Sequence, residues 1–182
     1  MKKIVLWFVI LTVSLSANIK MDTYELYKDK KFSDVCTQLH TQKKLLTSDE
    51  ELLSIYGFSC LNSDRIDALT TPITYLKNSK ESRTNAAYFS VLLMQKQLLM
   101  HALIDQYDLK AIKVPTTTHI LSIVFDLYTK DTNTKKRRRY NYMDPHDSKR
   151  YYRLYITKGD PSPKMVIEEY YDKIMTQRHI YW

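Results

Sequence analysis

Glycine is nearly missing: the 182-residue chain contains only Gly57 and Gly159. Phosphate-cradling loops, the dinucleotide fingerprint and the serine-centred hydrolase elbow each need glycines at fixed spacing, so all three are excluded. The scarcity also argues against a β-sandwich full of tight turns and favours helices. Cysteine is as rare, with Cys36 and Cys60 standing alone. Two isolated cysteines without paired histidines nearby lack the ligand set of a metal site, and no cofactor is expected. After the first apolar run, no segment reads as apolar enough to span a bilayer.

That first run carries a location. Met1-Lys2-Lys3 is a short positive start, Ile4 to Val13 is apolar, and Ser14-Leu15-Ser16-Ala17 supplies small residues before the polar chain begins at Asn18. This is the order of a secretory signal peptide. A membrane span needs roughly 20 apolar residues, about twice this length. Cleavage after Ser16 and after Ala17 both remain open. The expected product is an exported protein, periplasmic in a two-membrane bacterium. In an oxidising compartment a Cys36–Cys60 disulfide is expected, closing a loop worth about 3 kcal/mol in the chain-entropy model.

Charge is unevenly placed. The chain carries a net +8, yet residues 130–158 alone hold ten Lys or Arg against three Asp. A local excess of this kind marks a candidate surface for an anionic partner. Its centre is "KKRRRYNY". The candidate surface comprises Lys135, Lys136, Arg137, Arg138, Arg139, Tyr140, Tyr142, Arg150, Tyr152 and Arg153. Arg and Tyr are the residue types enriched at binding hot spots, because each brings large area with oriented hydrogen bonds. Outside the cytoplasm the polyanions on offer are envelope proteins, wall polymers and lipid headgroups. The expected partner is therefore an envelope protein or an anionic envelope surface, without sequence-specific nucleic-acid binding.

The first half reads as helical hairpins. Tyr24, Tyr27, Phe32, Val35 and Leu39 fall at helical spacing around the turn Asp29-Lys30-Lys31. Leu52, Leu53, Tyr56 and Cys60 repeat the plan after a Ser48 cap, with a turn at Asn62-Ser63-Asp64. Phe32 and Ile66 hold the same place in the two hairpins, 34 residues apart. In this offset, and in Leu53, Tyr56, Gly57, Cys60, Leu69, Ile73 and Leu76, residues 19–80 resemble the tetratricopeptide family. The resemblance implies stacked helical hairpins and a scaffold role. Pro72 departs from the pattern and should kink or split the second helix. The run from Ala86 to Ile104 is apolar on most faces, as in a central core helix, and another helix starts at Thr116 to Thr118.

The tail has a different texture. "RYYRLYIT" and "KMVIEEYY" flank Gly159-Asp160-Pro161, which is a hairpin signal, although a helix over 164–176 stays open. The expected class is mainly α: stacked tetratricopeptide-like hairpins over residues 18–129, a basic linker at 130–149, and a small C-terminal hairpin or mixed appendage at 150–182. The expected function is a non-enzymatic envelope scaffold or adaptor. The alternative is a small periplasmic enzyme using His101 and Asp105, four apart on one helical face, or Asp144, His146 and Asp147 as acid, base or metal ligands. Glu168 and Glu169 would point to opposite faces of a strand and make poor acid–base partners.

Overall fold

The computed structural model describes residues 19–132 and 137–182. The expected signal segment 1–17, with Lys135 and Lys136, lies outside the described residues. The chain forms two compact units, Met1–Ala87 and Tyr88–Trp182.

The described part of the first unit is helical. Helix α1 covers residues 19–28, followed by α2 (Phe32–His40), α3 (Lys43–Ser48) and α4 (Glu50–Asn62). A 3-10 turn at Ile66–Leu69 leads into α5 (Thr70–Tyr75) and then the start of α6 (Lys80–Asp105). With glycine scarce, other residues take the left-handed positions that close helices. Lys30 (φ 58°) follows α1 and Asp64 (φ 62°) follows α4. Around them Lys31 N donates to the Leu26 carbonyl and Arg65 N to the Cys60 carbonyl. The α4 cap is Asp49 and not Ser48: its carboxylate accepts from Glu51 N and Leu52 N, both at 3.1 Å. A carboxylate at a helix start gains from the exposed N–H groups and from the helix dipole together. Ser48 instead ends α3, donating to the Leu45 carbonyl.

Helices α2 and α4 are joined by the Cys36–Cys60 disulfide, with Cα atoms 4.9 Å apart. Around it Val35, Leu39, Leu46, Leu52, Leu53, Tyr56, Ile66 and Leu69 are buried. Pro72 splits the expected second helix. It sits in the first turn of α5, where its missing N–H is harmless, and the preceding residues tighten into the 3-10 turn. Phe32 and Ile66, 34 residues apart, therefore open elements of different kinds. Glu50 is one of the two acidic residues in the first turn of α4. Its carboxylate accepts from Lys77 N and Asn78 N (both 2.8 Å), Ser79 N and the Ser82 hydroxyl. The Asn78 and Lys77 amides lead in lowering its pKa to about 2.

In the second unit, α6 continues to Asp105, closed by Gln106 at φ 60°. Then α7 (Ile120–Lys130) starts later than expected, capped by the His119 ring. Strands β1 (Arg139–Met143), β2 (Arg150–Thr157), β3 (Lys164–Tyr171) and β4 (Ile174–Tyr181) form an antiparallel meander in sequence order. This overturns the expected class. The C-terminal part is a four-stranded sheet and not a small hairpin, so the chain is α+β and not a stack of helical hairpins. Strand β1 lies inside the expected linker, where its five residues were masked by flanking charge. Residues 164–176 are strand and turn.

The turns explain the meander. At Gly159 a Cβ would lie 2.3 Å from the Ser162 carbonyl oxygen, so this expected turn needs its glycine. Between β3 and β4 only Asp172 (φ 48°) and Lys173 (φ 69°) intervene, the signature of a type I′ hairpin. Tyr140, Tyr152, Leu154, Met165, Ile167 and Tyr181 alternate onto one buried face. There Tyr128 of α7 meets Tyr140 edge-on at 5.3 Å, and Lys96 of α6, 3% exposed, donates to the Trp182 carbonyl oxygen. By length and composition alone α6 is long and apolar enough to cross a membrane, the one such helix among the described residues. Within the fold it gives Phe89, Leu92, Leu99 and Ala102 to buried positions.

Candidate binding surface on the C-terminal sheet

The period of two along a strand sends alternate residues to the sheet's other face. The register lines them up in rows across the strands. Arg139 stands beside Tyr155, then Val166, then Ile180. The middle row is Asn141, Arg153, Glu168 and Arg178. The third is Met143, Tyr151, Tyr170 and Met175. A charged row thus runs between two rows that contain tyrosine.

Glu168 organises this face. It is 4% exposed, and a buried carboxylate persists only when paired and hydrogen-bonded. Arg178 donates to it from Nε (3.0 Å) and Nη2 (2.6 Å), Tyr155 and Tyr170 from their hydroxyls (both 2.8 Å), and Arg153 from Nη1 (3.4 Å). Burial alone would raise the Glu168 pKa, but the Arg178, Tyr170 and Tyr155 hydrogen bonds outweigh it and hold the carboxyl below its ordinary value. Burial and then the Glu168 bond push both phenols up, so they stay protonated donors.

The arginines are held twice. Arg153 lies over the Tyr170 ring at 4.8 Å and donates to Asn141, and Arg139 lies over Tyr155 at 5.4 Å. Tyr151 and Tyr170 stack at 4.4 Å, nearly parallel. Two arginines pair with one glutamate and Arg139 stands in the neighbouring row, leaving a surplus positive charge. Nη2 of Arg153 and Nη1 of Arg178 make no hydrogen bond among the described residues. The two side chains are 31% and 50% exposed and are held by their other partners, which lowers the ordering cost of taking up an anion.

The residues expected from sequence divide between the two faces. Arg139 and Arg153 join the outer lattice. Tyr140 and Tyr152 are buried on the inner face, where Tyr152 donates to Asp144, and Tyr142 donates to Asp131 at 3.3 Å. Arg137 pairs with Asp131 at 3.1 Å, while Arg138 and Arg150 are exposed. Tyr155, Glu168, Tyr170 and Arg178 complete the lattice and were not in the expected set. The alternation Tyr151, Arg153, Tyr155 within "RYYRLYIT" was the signal for the outer face.

The acid–base candidates occupy other places. His101 and Asp105, both exposed on α6, bond at 2.8 Å, and His101 stacks on Tyr107. Asp144 and Asp147 accept from His146 N and Lys149 N, which makes them turn formers between β1 and β2. A cleft of about 240 Å³ is lined by residues including Tyr107, Lys110, Tyr128, Arg137 and Tyr140, and by none of His101, Asp105, Asp144, His146 and Asp147. Glu169 faces the inner side and pairs with His179 at 3.0 Å, opposite to Glu168 as strand alternation requires. Among the described residues no three His, Cys, Asp or Glu side chains gather as a metal site. No family model matches the chain, and neither a curated protein nor a solved structure is similar to it.

Proposed function

We propose that this chain is an exported, non-catalytic binding protein of the cell envelope, whose C-terminal sheet engages an anionic partner through its Arg–Tyr face. One observation carries the reading: buried Glu168 holds Arg153 and Arg178, whose side chains stay 31% and 50% exposed. Stability alone has little use for such a cluster, since a packed apolar core of the same volume does as well or better. Recognition does use it, because fixed donors bind with less entropy loss.

The lattice also favours acidic protein over nucleic acid. Binding of single strands rests on aromatic faces open to bases. Here Tyr155 and Tyr170 carry guanidiniums over their rings, and Tyr151 is stacked on Tyr170. What the face offers is N–H groups and charge. The apolar, small-residue order of residues 4–17 supports export.

The test is retention on immobilised polyglutamate. Wild type should be retained and released by salt, because exposed charges are screened. The Arg153→Ser/Arg178→Ser double variant should elute at clearly lower salt while keeping its circular dichroism spectrum. Equal retention of a folded double variant removes the sheet face from the interaction. Export is read separately, as a chain lacking residues 1–16 or 1–17 by mass in the envelope fraction.

A further inference from the structure

The β3–β4 pair contains a bulge. Tyr170 pairs with Met175 and Glu169 with Gln177, so Thr176 is the extra residue on β4. A bulge re-aims side chains. In a regular strand, residues three apart point to opposite faces. Here pairing puts Met175 beside Tyr170 and Arg178 beside Glu168, and Glu168 and Tyr170 are two apart on β3. Met175 and Arg178 therefore share the outer face. The bulge thus completes the row Met143, Tyr151, Tyr170 and Met175 alongside the arginine row. Rows two residues apart along a strand lie about 7 Å from each other.

The completed row is apolar and open at both ends. Met143 is 57% exposed and Met175 49%. Between them Tyr151 and Tyr170 stack at 4.4 Å. Tyr171 and Ile174 add exposed apolar surface at the same end of the sheet. Asp172 N donates to the Lys149 carbonyl at 2.9 Å, which ties the two turns at that end together. Single exposed apolar side chains are ordinary, but a cluster of them marks an interaction site. Methionine suits such a site, because its flexible, polarisable side chain moulds to a partner.

We propose that the outer face docks an acidic amphipathic helix of a partner protein, its carboxylates on the arginine row and its apolar stripe on the Met143–Tyr151–Tyr170–Met175 row. The inference rests on the anionic-partner reading above and adds the partner's apolar stripe and its conformation. Charge selects an acidic occupant: the middle row sets Arg153 and Arg178 against Glu168, with Arg139 in the row beyond. A uniformly charged polymer would leave the methionines uncovered. The strands spend their backbone groups on their own ladders, so an occupant lying across this face must satisfy its own N–H and C=O groups. A helix does so, and its side chains three and four apart line up on one side. Two neighbouring stripes, one acidic and one apolar, match the two rows.

The experiment uses the full chain and a synthetic peptide, Glu-Ala-Gln-Leu-Glu-Ala-Gln-Glu-Ala-Ala-Leu-Glu-Gln-Ala-Leu-Gln, whose Glu and Leu form adjacent stripes on a helix. One counterpart replaces every Glu by Gln, and another every Leu by Ser. Fluorescence anisotropy gives affinity, and the methyl NMR signals of Met143 and Met175 give location. The Glu–Leu peptide should bind at least tenfold more tightly than either counterpart and should shift both methyl signals. Met143→Ser/Met175→Ser should remove the advantage of Leu over Ser and keep wild-type retention on polyglutamate. If that variant unfolds, the methyl shifts of the wild type decide. Equal binding of the Leu and Ser peptides, with polyglutamate still retained, overturns the helix and leaves the anionic face standing. Tight binding that moves neither methyl signal also overturns it. Failure of every peptide and of polyglutamate removes both readings. Cosedimentation with phosphatidylglycerol vesicles that Met143→Ser/Met175→Ser loses, without peptide binding, assigns the row to a lipid surface and overturns the proposal.

Discussion

The two units solve the problem of holding a small fold together by different means. Residues 19–87 carry ten cations and ten anions, whereas residues 88–182 carry sixteen cations and ten anions. The neutral helical unit has a covalent tie between α2 and α4 and a carboxylate, Glu50, that gathers the amides after α5. The basic unit has no disulfide. It uses one buried carboxylate to neutralise part of its own charge and leaves the surplus on an open face. In the first unit the special contacts join one segment of the fold to another. In the second they hold arginines that stay partly exposed, and this asymmetry is what supports the proposal of a binding face on the sheet.

The largest expected effect tests the covalent tie. Replacing Cys36 and Cys60 by Ala should cost about 3 kcal/mol, from the freed unfolded chain and the lost buried sulfurs. Hydrogen exchange should show the loss across α2 and α4, with β2 and β3 little altered. Equal loss across the sheet would show that the units do not hold their stability separately.

Next comes the buried carboxylate. Glu168→Gln keeps the shape but removes the charge facing Arg153 and Arg178. Both guanidiniums reach solvent, so the penalty should be about 1–2 kcal/mol, below that of a sealed ion pair. Polyglutamate retention should rise, because the face gains one net positive charge. If retention falls instead, Glu168 matters more as an organiser of the arginines than as a competitor of the ligand.

Acid should act on both units in the same direction. Glu50 and Glu168 have folded pKa values below their ordinary ones. A depressed carboxyl contributes stability that is complete above its unfolded pKa and lost as pH falls through the folded value. For Glu50 this window runs from 4.5 down to about 2. Urea midpoints should therefore decline across that range. Glu50→Gln should flatten the decline reported by the helices, and Glu168→Gln that reported by the sheet. An unchanged slope in either variant would remove that carboxylate from the acid response.

What could be read from the sequence follows from the range of the interactions involved. The disulfide was legible because two cysteines leave one intramolecular pairing, and the expectation of export favoured making it. The Gly159 turn was legible because its chemistry is local. The Arg–Tyr face was half legible: Arg139 and Arg153 were expected, but Arg178 lies on β4, and only the register brings it beside Glu168. Tyr140, Tyr142 and Tyr152 were read as surface because composition does not say which face of a strand looks inward. The fold class failed for a related reason. Charge around "RYNYM" hid a strand, and a helical first half set the expectation for the rest.

The smallest expected effect compares the units on equal chemical terms. Lys30 closes α1 and Lys173 closes the β3–β4 turn, both with positive φ. A side chain in the left-handed region costs about 1–2 kcal/mol in Cβ crowding, and glycine avoids that cost. Glycine also widens the unfolded ensemble, which returns part of the gain. Lys30→Gly and Lys173→Gly should each stabilise by about 0.5–1 kcal/mol, the first read in α1 and α2, the second in β3 and β4. The Lys173 variant has the stronger case, because a type I′ turn needs positive φ at both central residues and prefers glycine at the second. Denaturant midpoints should move up with an unchanged slope, since neither change alters the surface exposed on unfolding. If Lys173→Gly destabilises the sheet, the lysine makes a contact that exceeds its backbone strain.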